Sequence, residues 1–79
     1  MTEFERAVLT ILARAGEPLG WYRIERQLSM IELDERPNLL EILGELRRRG
    51  LVEQVVTAVT PTVRHGLTQA GAAAVGDDG

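Results

Sequence analysis

Apolar residues at Phe4, Val8, Ile11, Leu12 and Ala15 recur at the 3.6-residue spacing of a helix and predict a first amphipathic helix over residues 3–15. Thr2-x-x-Glu5 has the spacing of a capping box at its start, and Gly16 followed by Pro18 stops it. After a short extended link at Leu19-Gly20, Trp21, Ile24 and Leu28 mark a second, short helix with Arg23, Glu25 and Arg26 on its wet side. Met30 to Arg36 has no clean period and runs into Pro37, which disfavours helix at the residue before it. It reads as a connecting turn whose apolar residues Met30, Ile31 and Leu33 need cover.

A third helix starts near Pro37 or Asn38, where Asn38-x-x-Glu41 again has cap spacing. Leu39, Ile42, Leu43 and Leu46 form its buried stripe. Gly50 falls where a left-handed terminating residue is wanted, with Leu51 placed to touch Leu46. From Leu51 to Thr60 the chain is rich in valine and threonine; Thr60-Pro61-Thr62 breaks it, and Val63 to Thr68 returns, the pattern of a β-hairpin. Thr68 is placed to cap a last short helix over Gln69 to Val75. Residues 1–75 thus form one domain, mainly α with a small antiparallel β-hairpin, and 76–79 a flexible tail.

At 79 residues without cysteine, stability has to come from one small core, with neither a disulfide nor a thiolate zinc site to reinforce it. Met1 to Glu5 is acidic where a secretory leader is basic, and the apolar run from Ala7 to Ala13 is far shorter than the ~20 residues of a membrane span. A soluble, cytoplasmic protein with no membrane association is expected. The net charge of −3 includes Asp77 and Asp78; residues 1–75 carry nine Arg and no Lys against ten acids, a net of −1. A near-neutral fold does not bind nucleic acid through bulk electrostatics, so the local arrangement of charge decides.

Enzyme chemistry finds little to work with. There is one histidine, no cysteine, no glycine-rich phosphate loop and, apart from Ser29, no serine. No catalytic residue, metal site or cofactor is expected. His65 shares strand parity with Val63 and Leu67, which turns it toward the core. Trp21 and Tyr22 are expected there too, because a small domain with three aromatic residues normally packs them inside.

The order of helix, helix, helix, hairpin and short helix is similar to that of PadR-type and MarR-type bacterial winged helix-turn-helix regulators. The residues that carry the resemblance are Ile11-Leu12, the block from Leu43 through Leu46 to Gly50-Leu51-Val52-Glu53, and His65-Gly66-Leu67-Thr68-x-x-Gly71. The resemblance implies a three-helix core plus wing, with helix three in the major groove of duplex DNA. By position, Asn38, Leu40, Glu41, Gly44 and Glu45 face the DNA, Arg23 and Arg26 lie near phosphates, and Arg64 sits on the wing.

Two functions follow. The first is a small transcriptional regulator that binds DNA through Arg23, Arg26, Asn38, Leu40 and Arg64. The second is a protein interaction module that keeps the fold without DNA binding, with Leu40, Glu41, Val56 and Val59 as its surface. Glu41 and Glu45 place carboxylates on the face that should approach a polyanion, and the stretch from Val55 to Val63 has no charge, which supports the second reading. Glu45 is also at helical spacing to pair with Arg48 or Arg49. Arg47-Arg48-Arg49 complements the helix dipole as a solvated end, with Arg48 pointing outward. A DNA reader of this kind is expected to be a homodimer. Without the long extra helices by which such regulators pair, helix one or the valine-rich hairpin is the candidate surface.

Overall fold

The computed structural model describes residues 1–56 and 62–76. Among them are four helices, α1 (Glu3–Ala15), α2 (Trp21–Leu28), α3 (Leu39–Arg48) and α4 (Gln69–Gly76), and a hairpin of β1 (Val52–Val56) and β2 (Val63–Leu67) between α3 and α4 in the chain. Thr60 and Pro61 of the expected turn, like Asp77 to Gly79 of the expected tail, lie outside the described residues. Gly76, expected in that tail, is the last residue of α4. Among the described residues no helix is long and apolar enough to cross a membrane.

The helix boundaries follow from local chemistry. In α1 the Thr2 hydroxyl accepts from the Glu5 backbone N–H at 3.1 Å, and the Glu5 carboxylate accepts from the Thr2 N–H at 2.8 Å, completing the capping box. Gly16 ends the helix in the left-handed region at φ 67°. In α3 the Asn38 side chain accepts from Glu41 N–H at 3.2 Å. At the other end, Gly50 turns left-handed at φ 77°. Its N–H reaches Arg47 O at 2.9 Å, and Leu51 N–H reaches Leu46 O at 2.9 Å. These are the two bonds of a Schellman motif, and they satisfy carbonyls that a helix end otherwise leaves bare.

The core is built from Val8, Leu9 and Leu12 of α1, Ile24 and Leu28 of α2, and Leu39, Leu43 and Leu46 of α3, with Leu19 and Val52 filling the side toward the hairpin. Ile42 is half-buried at its margin. The hairpin is antiparallel, with Val52 opposite Leu67 and Val56 opposite Val63. On the other edge of β2, Leu19 and His65 exchange both backbone hydrogen bonds, at 2.9 and 2.7 Å. His65 is buried, as its parity implies, but Val63 of the same face is 42% exposed because the outer half of the hairpin runs past the core.

Trp21 and Tyr22 do not enter the core. They are 47% and 61% exposed and meet edge to face. In this part of the chain Leu19, held by its bridge to His65, and Ile24 fill the interior positions instead. In the connector Leu33 packs against the core, whereas Met30 and Ile31 stay exposed. Arg36 shapes this loop by donating to Leu28 O at 3.0 Å and to Ile31 O.

Thr68 and Gly71 close the fold. The Thr68 hydroxyl accepts from Gly71 N–H at 3.0 Å, capping α4, and donates to Gly50 O. The Thr68 N–H donates to Leu51 O at 3.1 Å. A Cβ on Gly71 would stand 2.0 Å from that same oxygen, whereas one on Gly44, on the outer side of α3, would meet nothing within 4 Å. The same substitution therefore has opposite effects at the two sites. Gly71→Ala should lose roughly 3 kcal/mol, because only a backbone shift relieves the clash. Gly44→Ala should gain about 0.5–1 kcal/mol from helix propensity. Urea midpoints of the two variants check both signs.

Candidate functional surface

The outer face of α3 presents Leu40, 59% exposed, and Glu41. Glu45 stands farther along and is only partly exposed. Its carboxylate holds Arg48 in an exposed pair on the same helix and contacts Arg49 Nε at 3.4 Å. Arg49 Nη1 in turn reaches the Glu5 carboxylate at 3.2 Å. The three consecutive arginines therefore have separate tasks: Arg49 ties α3 to α1, Arg48 neutralises Glu45, and Arg47 is exposed close enough to His65 to act on its titration. Asn38 is exposed but committed to its cap.

The start of α2 differs from the other helix starts. Threonine or asparagine side chains cap α1, α3 and α4. At α2 the cap residue is Gly20, with no side-chain hydrogen bond, and the first turn carries no acid. The cap thus supplies no side-chain acceptor to the N–H groups of this turn, and no acid of the helix itself stands at the positive end of its dipole. Gly20 is extended, at φ −71° and ψ 159°. Because Leu19 pairs antiparallel with His65, Gly20 and Arg64 leave the bridge side by side. The bridge thus sets Arg64, exposed on β2, beside the open end of α2, which also carries Tyr22 and Arg23.

By register Arg64 lies beside Gly20, the cap residue of α2, and Arg23 is in the first turn of that helix. Arg26, in the last turn of α2, lies one turn beyond Arg23 and is exposed. The Arg23 pair with Glu17, at 4.0 Å and with both side chains mostly exposed, is weak and screened by salt. Leu40 and Glu41 belong to the α3 face. Val56, 63% exposed, lies opposite Val63 on the outer hairpin; Val59 lies outside the described residues. Sequence reasoning passed over the open end of α2 and Tyr22. The signal was present: a glycine at the cap, and no acid in the following turn.

Among the described residues no group of three or more His, Asp or Glu side chains is placed to hold a metal ion. No family model matches the chain, nor does any curated protein or solved structure.

Two buried groups set the pH response. The Thr2 N–H holds the Glu5 carboxyl below its ordinary value of 4.5; burial opposes this, while Arg49 and the Thr2 hydroxyl assist. Burial, assisted by the Arg47 charge, pushes His65 below its ordinary value of 6.5. Both groups bind protons more readily unfolded than folded, so each contributes stability above its unfolded pKa and loses it as pH falls through the folded one. The urea midpoint should be level above about pH 7, decline below the ordinary histidine value of 6.5 that His65 has in the unfolded chain, and decline again below the ordinary carboxyl value of 4.5. In His65→Leu the upper decline should vanish while the lower one remains, which midpoints measured across this pH range check.

Proposed function

We propose that the chain is a winged helix-turn-helix domain that binds duplex DNA as a transcriptional regulator in the cytoplasm, similar to PadR-type and MarR-type proteins. The hairpin is its wing and α3 its reading helix. The observation that carries the proposal is the open N-terminus of α2 beside Arg64. Helix N–H groups without a side-chain cap attract phosphate oxygens, and the exposed Arg23 in that turn and Arg64 beside Gly20 add positive charge. In helix-turn-helix proteins the helix before the reader crosses the DNA backbone.

On this reading most of the affinity comes from phosphates. Glu45 is neutralised by Arg48 and Arg49, so the α3 face is less repulsive than its carboxylates alone suggest. Yet Leu40 supplies no hydrogen bond, Gly44 no side chain, and Asn38 is used as a cap. Glu41, which can accept from cytosine N4, is the remaining base-reading group, so sequence discrimination is modest. Partial exposure of Trp21, Tyr22, Leu40, Val56 and Val63 favours the second reading, a protein interaction module, since large aromatic residues are typical interface anchors.

A random duplex titrated by fluorescence anisotropy at ~50 mM salt should bind, and the affinity should fall steeply as salt rises. Arg64→Ala and Arg23→Ala should each reduce the salt slope by about 1. Tyr22→Glu provides a sharper contrast. An acid in the first turn of α2 should leave stability unchanged or raise it by roughly 0.3–1 kcal/mol through the dipole, yet weaken DNA binding about tenfold or more through repulsion of phosphate. Absence of binding at low salt would sink the DNA reading and leave the protein module.

A further inference from the structure

The outer edge of β1 has no strand beside it among the described residues. Leu51 O accepts from Thr68 N–H, and the register continues that pairing through Glu53 with Gly66 and Val55 with Arg64. Hydrogen-bonded pairs alternate along an antiparallel ladder, so Gln54 and Val56 turn their N–H and C=O groups outward. The far side of β2 agrees, because His65, opposite Gln54, directs both its backbone groups away from β1 to Leu19. No described residue hydrogen-bonds the outward groups of Gln54 and Val56. The register runs without a bulge, and β1 holds neither lysine nor proline, devices that protect a sheet edge from further pairing.

The two faces beside this edge carry opposite charges. Gln54 shares a face with Val52 and His65, the face toward the core, where α3 ends and Arg47 acts on His65. Arg47 is exposed and takes part in no ion pair with a described residue. Glu53, also exposed and without an ion pair among the described residues, projects from the opposite face.

We infer that the free edge of β1 takes up an extended peptide as an added antiparallel strand, with an acid opposite Gln54, a base opposite Glu53 and apolar residues opposite Val55 and Val56. Directly opposed residues share a face, so the acid lies on the side of Arg47 and the base on the side of Glu53. Main-chain bonds to Gln54 and Val56 hold the strand, and the two charges fix its register. Val56, 63% exposed, and the half-buried Val55 gain cover from β-branched neighbours. A second copy fits less well. Pairing β1 with itself about Gln54 sets Glu53 against Val55 and Gln54 against Gln54, which leaves both charges unmatched. The inference rests on the register of the hairpin and is independent of the DNA reading.

The probe is a blocked hexapeptide with threonine at each end and valine, valine, glutamate and lysine between them, in that order. At ~1 mM peptide, amide exchange followed by NMR should slow about tenfold at Gln54 and Val56. Glu53 and Val55, already bonded to β2, should change less. Arg47→Glu should weaken binding about fivefold, and a peptide with lysine in place of glutamate should restore binding to that variant. Gln54→Pro removes the outward N–H without removing a ladder bond to β2. It should fold, as circular dichroism checks, and bind about tenfold more weakly or worse; if it does not fold, the charge exchange at Arg47 decides. Four results would each overturn the inference: no binding at this concentration, a lysine peptide that fails to rescue Arg47→Glu, a folded Gln54→Pro that binds like the wild type, or protection at Gln54 and Val56 that appears without peptide as protein concentration rises, the mark of a second copy.

Discussion

The backbone at Gly50 and Leu51 is the point on which the rest of the structure depends. The left-handed turn at Gly50 ends α3 and sends the chain into β1. Gly50 O then accepts from the Thr68 hydroxyl, and Leu51 O accepts from the Thr68 N–H. One residue beyond β2 thereby locks the start of β1. Thr68 also caps α4, and Gly71 brings the backbone of α4 against Leu51 O, where no side chain fits. The end of α3, the base of the hairpin and the start of α4 thus meet through main-chain atoms, whose positions are less adaptable than those of side chains. A residue without the conformational freedom of glycine at Gly50, or with a Cβ at Gly71, disturbs all three.

The same helix end is held from the opposite side by Glu5. Its carboxylate bonds Thr2 within α1 and Arg49 beyond the last turn of α3. A nearly buried carboxylate is costly unless its oxygens are occupied, and here one takes a backbone donor and the other a guanidinium. A pair of this kind contributes more to fixed geometry than to net stability, because desolvation offsets much of its attraction. Arg49 also contacts Glu45. The helix proposed to face DNA is accordingly anchored at its C-terminal end by a glycine turn on one side and a charge network on the other.

Features with a local cause were legible in the sequence. The capping box at Thr2 and Glu5, the Asn38 cap and the Gly50 stop each depend on residues within five positions of one another, and the structure has all three. What stayed hidden depends on distant residues. Glu5 read correctly as a cap acid, but no short-range pattern says that Arg49 arrives beside it. The Leu19–His65 bridge is a single residue pair and leaves no alternation to detect. Trp21 and Tyr22 were expected inside because aromatic residues usually are. Trp21 even shares the helical phase of Ile24 and Leu28, yet it stays 47% exposed at the first position of α2, where Leu19 and Ile24 take the interior places. Gly71 was visible as part of a motif, but its reason, contact with Leu51 O, needs the fold.

The formal charge of −3 describes this protein poorly as a partner for a polyanion. Net charge counts side chains and omits the partial charge of a helix end, worth about +0.5 where no cap or acid compensates it. At α1, α3 and α4 a side-chain oxygen meets that end, and at α1 and α3 an acid stands in the first turn as well. At α2 nothing of the kind does. On the proposed reading that end, with Arg23 in its turn and Arg64 beside Gly20, is the positive region of a domain whose formal charge is negative. Such a distribution attracts a phosphate at one place and repels it elsewhere. On the proposed reading it orients the domain on DNA even while it keeps non-specific affinity low.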